Sequence, residues 1–231
     1  MVKTTIMFGS IGSLVESSDI QRQAYNDAMR EAGLSWHWDR DTYADLLTQS
    51  GGRERLAQLA AATGTDLAEE TIARIHLRKT QLAGEAMLAQ GVDLRPGVVA
   101  LVRLAKDRGM KLAFVTTTYQ ANIDAIFAVA APALSKNDFD HVVSRDQVER
   151  GKPAPDAYLI ALKALGVCSD EVLAVEDTAT SVMSAKRAGI QVVATPGALT
   201  SAQDFWQADL VLDNLTDGVG VHSRVLMLLN A

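Results

Sequence analysis

The hydrophobic and polar residues follow different patterns in two parts of the chain. From residue 95 onward, short apolar runs rich in β-branched residues alternate with amphipathic stretches, as is typical of βαβ units in a parallel sheet. We predict these strands: Thr4–Phe8, Lys111–Thr116, His141–Ser144, Val172–Val175, Gln191–Ala194 and Leu210–Leu212. The pattern therefore predicts an α/β protein built on a Rossmann-like, doubly wound parallel sheet.

The segment between the first and second strands instead shows helical periodicity. We predict these helices in it: Ile20–Ala32, Arg40–Leu47, Glu54–Ala62 and Leu67–Leu88. The helical pattern stops at Leu94–Gly97, where a proline and a glycine indicate a turn. We therefore predict a core formed by residues 1–15 and 95–231, with an all-helical insertion at residues 16–94.

Several polar segments follow directly after predicted strands. Gly9–Ser13, Thr116–Thr118 and Glu176–Asp177 come at strand ends, and Lys152 follows the third strand. Because ligands of open parallel sheets bind beyond the carboxyl ends of the strands, these segments are expected to meet in one cleft. Another interpretation is purely structural: the threonines end a strand and the acidic pair caps a helix.

Composition narrows the classes of function. The chain has 231 residues, 48% of them hydrophobic, with a net charge of −6 and a pI near 5.2, so it offers no basic surface for nucleic acid or an anionic membrane. The N-terminus passes directly into a strand without the pattern of a signal peptide, and cytoplasmic localisation is expected. The one cysteine, Cys168, cannot form an internal disulfide and is interpreted as a buried or loop-lining structural thiol rather than a nucleophile.

Four segments resemble, in order and spacing, the motifs of the haloacid dehalogenase superfamily of phosphatases. They are Phe8–Ser17, Leu112–Thr118, Gly151–Asp156 and Val172–Thr178. The resemblance implies that Thr116, Thr117 and Lys152 bind phosphate. It also implies that Glu176 and Asp177 help to hold Mg²⁺.

The first of these segments departs from the superfamily at two positions. In the superfamily, one aspartate of this loop attacks phosphorus and a second serves as acid and base; here the corresponding residues are Gly9 and Ile11. Neither residue can perform covalent or general acid catalysis. Ser10 and Ser13 flank the site, but the sequence places no histidine beside them to activate a hydroxyl.

The predicted helical insertion resembles the C1 cap of the β-phosphoglucomutase-like branch, especially the CbbY-type xylulose-1,5-bisphosphate phosphatases. The resemblance rests on Trp36–Arg40, Tyr43–Arg55 and Ile75–Thr80. It implies that Arg53 binds the distal phosphate of a substrate, although a solvated helix charge is the alternative.

Four further polar positions lie in the insertion. Gln21 stands where relatives often carry a histidine and could bind a sugar hydroxyl, as could Glu16, for which a charge at the start of a helix is the alternative. His76 and Lys79 lie one turn apart and are interpreted as part of an exposed helix face, with no role in the site.

These observations predict a degenerate relative of the C1-capped phosphatases that binds phosphate or a sugar phosphate and hydrolyses little or none. Any Mg²⁺ binding is expected to be weak, since one carboxylate ligand is missing at Gly9. One alternative is a working sugar-phosphate hydrolase that uses unrecognised residues. Another is a protein-interaction module that retains only the fold, with an unknown protein partner.

Overall fold

The computed structural model describes residues 2–49, 51–218 and 220–231. Within them the chain forms a parallel sheet with the order β3-β2-β1-β4-β5-β6. The strands are β1 (Thr5–Phe8), β2 (Lys111–Val115), β3 (His141–Val143), β4 (Val172–Glu176), β5 (Gln191–Ala194) and β6 (Leu210–Val211). The doubly wound α/β fold predicted from the sequence is confirmed.

The central strands are buried on both faces because helices cover both sides of the sheet. Ile6 and Phe8 point into one apolar cluster, whereas Met7 between them points into another. The first cluster contains residues of α5 (Val98–Asp107), α6 (Gln120–Ala130) and α9 (Ser223–Leu229). The second contains residues of α7 (Asp156–Leu165) and α8 (Ala179–Arg187).

The segment between β1 and β2 is helical. Its helices are α1 (Ser18–Glu31), α2 (Arg40–Leu46), α3 (Gly52–Ala62) and α4 (Glu69–Gln90). They share an apolar cluster of their own, in which the Tyr25 and Trp38 rings lie 4.9 Å apart. Asn26 fixes the connection after α1, since its amide donates to the Trp38 carbonyl and its carbonyl accepts from the Trp38 N–H.

The chain leaves the sheet and returns to it at neighbouring positions. Val15 and Leu94 form an antiparallel bridge, and the Arg95 N–H donates to the Leu14 carbonyl over 2.9 Å. These contacts support the predicted division at residues 15 and 95, which stays a prediction. We refer below to residues 16–94 as the cap and to the remainder as the core.

Most predicted elements are found with small shifts at their ends. α3 begins at Gly52 rather than Glu54, directly after Gly51, whose φ of 107° favours glycine. α4 runs to Gln90, past the predicted Leu88, and ends at Gly91. Cys168 is exposed in the turn before β4, which corrects any interpretation of it as a buried thiol.

The described residues contain no helix that is both long enough and apolar enough to cross a membrane.

Candidate functional site

A cavity of about 510 Å³ lies between the carboxyl ends of the core strands and the cap. The core contributes the β1 loop, the Thr116–Tyr119 turn after β2, Lys152, and the residues that follow β4. Side chains of α1, α3 and α4 close it from the cap. The predicted convergence of separate segments on one cleft is therefore observed, with Ser10, Ile11, Thr116, Lys152, Glu176 and Asp177 all lining it.

Lys152 is a buried cation at the core end of the cavity. Its ammonium donates to the Val115 carbonyl over 3.2 Å and to the Glu176 carboxylate, and it lies 5.1 Å from the centre of the Tyr158 ring. The Tyr158 hydroxyl donates to the same Glu176 oxygen. Since an ammonium has three donors, one remains for a ligand after these two hydrogen bonds.

The two acidic residues after β4 are bridged by a hydroxyl. Ser13 Oγ lies 3.3 Å from Glu176 Oε2 and 3.1 Å from Asp177 Oδ1. Burial and the neighbouring Glu176 raise the pKa of Asp177 to about 8, although the Ser13 hydroxyl and Lys152 oppose that shift. Burial and Glu176 also raise the pKa of Tyr158 well above its usual value, so the phenol stays neutral.

Gly9, which the sequence predicts at the position of the superfamily nucleophile, lies close to Glu176. A Cβ atom built on Gly9 would lie 2.2 Å from Glu176 Oε2 and 2.6 Å from Ser13 Oγ. The Glu176 carboxylate therefore fills the space beside the backbone where a side chain of residue 9 would begin. Ile11, which the sequence predicts at the acid/base position, is half-buried, packs against the core cluster and lines the cavity.

Gly12 permits the close approach of Asp177. Its φ is +81°, and a Cβ atom there would lie 1.9 Å from Asp177 Oδ2. Gly109 offers a matched comparison, because its φ is +65° but nothing lies within 4 Å of its Cβ position.

We expect Gly12→Ala to destabilise the protein more than Gly109→Ala does. The left-handed backbone should cost each variant roughly 1–2 kcal/mol, and only Gly12→Ala must also displace a buried carboxylate. Urea unfolding of both variants and the parent gives the comparison. If both variants lose the same unfolding free energy, Asp177 does not pack closely enough against Gly12 to oppose a Cβ atom there.

The turn after β2 presents hydroxyls to the cavity. Thr116 Oγ1 accepts from the Thr118 N–H over 3.1 Å and lies 2.9 Å from Ser10 Oγ. Thr117 is half-buried and lines the cavity. Among the described residues, neither an imidazole nor a carboxylate bonds Ser10, so no base is placed to activate its hydroxyl.

The two arginines at the start of α3 have different environments. Arg53 is exposed, lines the cavity and lies with its guanidinium 5.1 Å from the centre of the Tyr119 ring. Arg55 donates to the carbonyls of Leu46 and Gln49 and so holds the connection before α3. Both arginines line the cavity, but the Arg55 guanidinium already donates to backbone carbonyls, so ligand binding by Arg53 stays a prediction.

The interpretation of His76 and Lys79 as part of an exposed face is wrong. Their relative exposures are 7% and 4%, and both line the cavity. A signal was present in the sequence, because Ile72, Ile75 and Ala83 extend an i, i+3, i+4, i+7 pattern through positions 76 and 79. The apolar stripe of α4 therefore includes two polar residues at the point where it faces the cavity.

The charges of these two side chains reflect their burial. Burial, followed by the influence of Arg55, lowers the pKa of Lys79 to about 7. Burial, followed by the influence of Lys79, lowers the pKa of His76 to about 3, so the imidazole is neutral at neutral pH. The Lys79 ammonium donates to Gln21 Oε1 and lies 4.6 Å from the centre of the Tyr25 ring.

The two predicted sugar-binding residues differ in placement. Gln21 is buried and lines the cavity, and its Nε2 has no hydrogen-bond partner among the described residues. Glu16 is not among the lining residues; its carboxylate accepts from the Ala198 N–H over 3.0 Å and lies 3.7 Å from Arg95 Nη1. The structure therefore supports the structural interpretation of Glu16, which ties the start of the cap to the core.

The predicted magnesium ligands fit a metal poorly. Across residues 2–49, 51–218 and 220–231, no group of three His, Cys, Asp or Glu side chains is arranged to hold a metal ion. Gly9 supplies no carboxylate, and the Glu176 carboxylate is already engaged by Lys152 and Tyr158. Because Mg²⁺ usually binds one or two carboxylates together with water and substrate phosphate, Glu176 and Asp177 do not form a complete magnesium site without a bound phosphate.

Comparison with known proteins identifies the family. The family profile described as haloacid dehalogenase-like hydrolase matches residues 6–189. The chain belongs to the haloacid dehalogenase-like hydrolase family. Within this family, Protein CbbY of Rhodobacter capsulatus is 37% identical over 211 residues, covering 91% of this chain and 93% of CbbY.

Solved structures of family members agree with the fold. A CbbY variant from Rhodobacter sphaeroides with one aspartate changed to asparagine, in complex with xylulose-1,5-bisphosphate, superposes with a TM-score of 0.88 at 35% identity over 100% of both chains. CbbY from the same organism in complex with phosphate gives 0.84 at 36% identity, over 93% of this chain and 95% of CbbY. The resemblance to CbbY-type proteins inferred from the sequence is thereby confirmed.

Proposed function

We propose that this protein binds phosphate or a sugar phosphate in the cavity and hydrolyses phosphate esters little or not at all. One observation carries the proposal: neither position 9 nor position 11 bears a carboxylate, and the Glu176 carboxylate lies where a side chain at position 9 would start. The anion-binding groups of the cavity are in place without the reacting groups.

The binding half of the proposal rests on the core end of the cavity. Lys152 has one donor left for an anion, and the Thr116 and Thr117 hydroxyls face the same space. Two related structures contain phosphate and xylulose-1,5-bisphosphate. A sugar bisphosphate therefore suits this cavity, with one phosphate near Lys152 and the distal one near Arg53.

The proposed loss of hydrolysis follows from the groups that phosphoryl transfer requires. The reaction needs an in-line oxygen nucleophile and a proton donor for the leaving oxygen. Ser10 lines the cavity, yet its hydrogen bond goes to Thr116 and not to a base. Ser13 does contact the Glu176 and Asp177 carboxylates, but it is fully buried and is not among the residues that line the cavity. This arrangement argues against the alternative of a hydrolase that uses a relocated nucleophile.

We expect inorganic phosphate to raise the melting temperature of the parent protein. At about 100 times its dissociation constant, a ligand of the native state adds about 2.7 kcal/mol of stability, which corresponds to roughly 5 °C or more for a chain of this size. The effect should persist in EDTA, because the lysine and the hydroxyls supply the site. Differential scanning fluorimetry over a phosphate series measures it.

A variant without Lys152 should lose this response. We choose Lys152→Met together with Glu176→Gln, since removing only one member of a buried ion pair leaves an uncompensated charge. The matched control is Lys163→Met, which removes an exposed lysine of α7. If the double variant and the control respond to phosphate as the parent does, the site is elsewhere; if the parent itself does not respond, the interaction-module interpretation gains.

A further inference from the structure

We propose that Lys79 is a carbonyl-reactive amine, which condenses with the aldehyde or ketone group of a phosphorylated ligand held in the cavity. The inference rests on the proposed function, because the phosphate of the ligand is to be held by Lys152 and the turn after β2. It adds a covalent site on the cap side of the cavity, on a residue that phosphate binding does not need.

The geometry separates Lys79 from the other buried lysine of the same cavity. Lys152 forms a buried ion pair with the Glu176 carboxylate. Among the described residues, Lys79 has no carboxylate partner; its nitrogen contacts the neutral Gln21 carbonyl and the face of Tyr25. It is almost fully buried and yet lines the cavity.

The charged group that acts on Lys79 is Arg55, which opposes its protonation; the Glu54 and Glu69 carboxylates line the cavity as well and carry the opposite charge. From α3, Arg55 lowers its proton affinity, and Arg53 lies on the same wall of the cavity. From α4, His76 is neutral, and from α1, Tyr25 stays protonated because burial raises its pKa. A lysine that is desolvated and placed beside other cations is the arrangement that activates amines for attack on carbonyl carbon.

The pKa of Lys79, lowered to about 7 by burial and Arg55, agrees with this reading of the geometry. Near neutral pH about half of the side chain is then a free amine, whereas an exposed lysine is almost wholly protonated. Below pH 7 the amine is protonated and unreactive; above pH 7 its reactivity should reach a plateau.

The reaction is balanced without any further reagent. The amine lone pair of Lys79 forms a bond to the carbonyl carbon as the C=O π bond breaks; the nitrogen gives up one proton and the oxygen takes one up, which gives a carbinolamine. The C–O bond then breaks, the hydroxyl leaves as water with the second proton of the nitrogen, and a C=N bond joins Lys79 to the ligand. An open-chain ketose or aldose phosphate carries both required groups: a phosphate for the core end of the cavity and a carbonyl for Lys79.

Pyridoxal 5′-phosphate with sodium cyanoborohydride tests the inference, because the probe joins an aldehyde to a phosphate and the reductant fixes the imine. Peptide mapping by mass spectrometry should find Lys79 labelled about tenfold or more faster than the exposed Lys163 at pH 7.5, with Lys152 unlabelled. The Lys79 rate should rise from pH 6 to 8 and then level off. Labelling confined to exposed lysines would overturn the inference.

Two variants keep the test independent of folding. Lys79→Arg retains the cation and Lys79→Met retains the stem, and each should lose the fast-labelled peptide while Lys163 is labelled as before. Equal total labelling of the parent and both variants would contradict the inference.

Phosphate dependence separates this inference from the proposed function. If inorganic phosphate slows Lys79 labelling, and pyridoxal lacking the phosphate reacts about tenfold more slowly, both ideas are supported. If Lys79 is labelled fast and neither inorganic phosphate nor the phosphate of the probe changes the rate, the reactive amine is supported and the phosphate site is overturned. If phosphate stabilises the protein but Lys79 is not labelled, the reactive amine is overturned and the phosphate site is not.

Discussion

Release of phosphate from xylulose-1,5-bisphosphate and from other sugar phosphates should be about a millionfold slower than in a relative that carries both loop aspartates, since removal of a covalent nucleophile costs about 10⁶ in turnover. Loss of the general acid by itself typically lowers the rate by 10² to 10⁴. This loss and the loss of the nucleophile affect the same reaction, so the two factors do not simply multiply. Hydroxyls at Ser10 and Thr116 do not replace these groups, because they hydrogen-bond each other and no base.

The measurement is phosphate release under saturating substrate with and without Mg²⁺, over a panel of phosphorylated sugars and aryl phosphates. The Lys152→Met and Glu176→Gln double variant serves as a control for contaminating phosphatases, since any rate that survives in it does not come from the cavity. A cavity-dependent rate near 1 s⁻¹, an ordinary enzymatic value, would refute the proposed loss of catalysis.

The parts of the fold that the sequence predicted are those set by local pattern. Continuous apolar runs identified strands such as Val172–Val175, because a parallel strand is buried on both faces and shows no alternation. The convergence of Thr116, Lys152 and Asp177 also followed from the sequence, since parallel strands place their carboxyl ends at one edge. The element ends shifted by one or two residues, in two cases where Gly51 and Gly91 set the boundary.

The cap side of the site was harder to predict because its geometry depends on tertiary packing. Nothing local shows that the stripe of α4 containing His76 and Lys79 turns toward the cavity, or that Gln21 on α1 meets Lys79 there. The sequence shows only that His76 and Lys79 interrupt the apolar stripe of α4, which indicates burial but not what the stripe faces. Glu16 shows the converse case, since its bonds to Ala198 and Arg95 link positions far apart in sequence.

The contact between Gly9 and Glu176 could not be predicted from the sequence, and it changes what reactivation requires. The sequence shows that residue 9 is a glycine and not an aspartate. It does not show that the Glu176 side chain of β4 fills the space beside this glycine. The backbone of Gly9 is not the obstacle, since its φ lies outside the range that favours glycine. What must move is a carboxylate anchored by Lys152 and Tyr158.

We expect Gly9→Asp combined with Ile11→Asp to restore measurable, magnesium-dependent hydrolysis of phosphate esters. Aryl phosphates should be hydrolysed about 10³-fold or more faster than by the parent, because the nucleophile and the general acid are both returned. Gly9→Asp alone should act only on aryl phosphates, whose leaving groups need little protonation. Ile11→Asp alone should gain almost nothing without a nucleophile.

The same double variant should be less stable than the parent by roughly 1–3 kcal/mol, the usual cost of forcing atoms into a packed site. The matched control is Gly9→Asn with Ile11→Asn, which has nearly the same shape and must displace Glu176 in the same way but offers neither nucleophile nor acid. Both variants should lose similar stability in urea unfolding, and only the aspartate variant should release phosphate. If the two variants fold equally well and neither hydrolyses an aryl phosphate, the loss of catalysis extends beyond the β1 loop. Glu176 would then be the residue expected to block the reaction, since its carboxylate must move away before an aspartate at position 9 can attack.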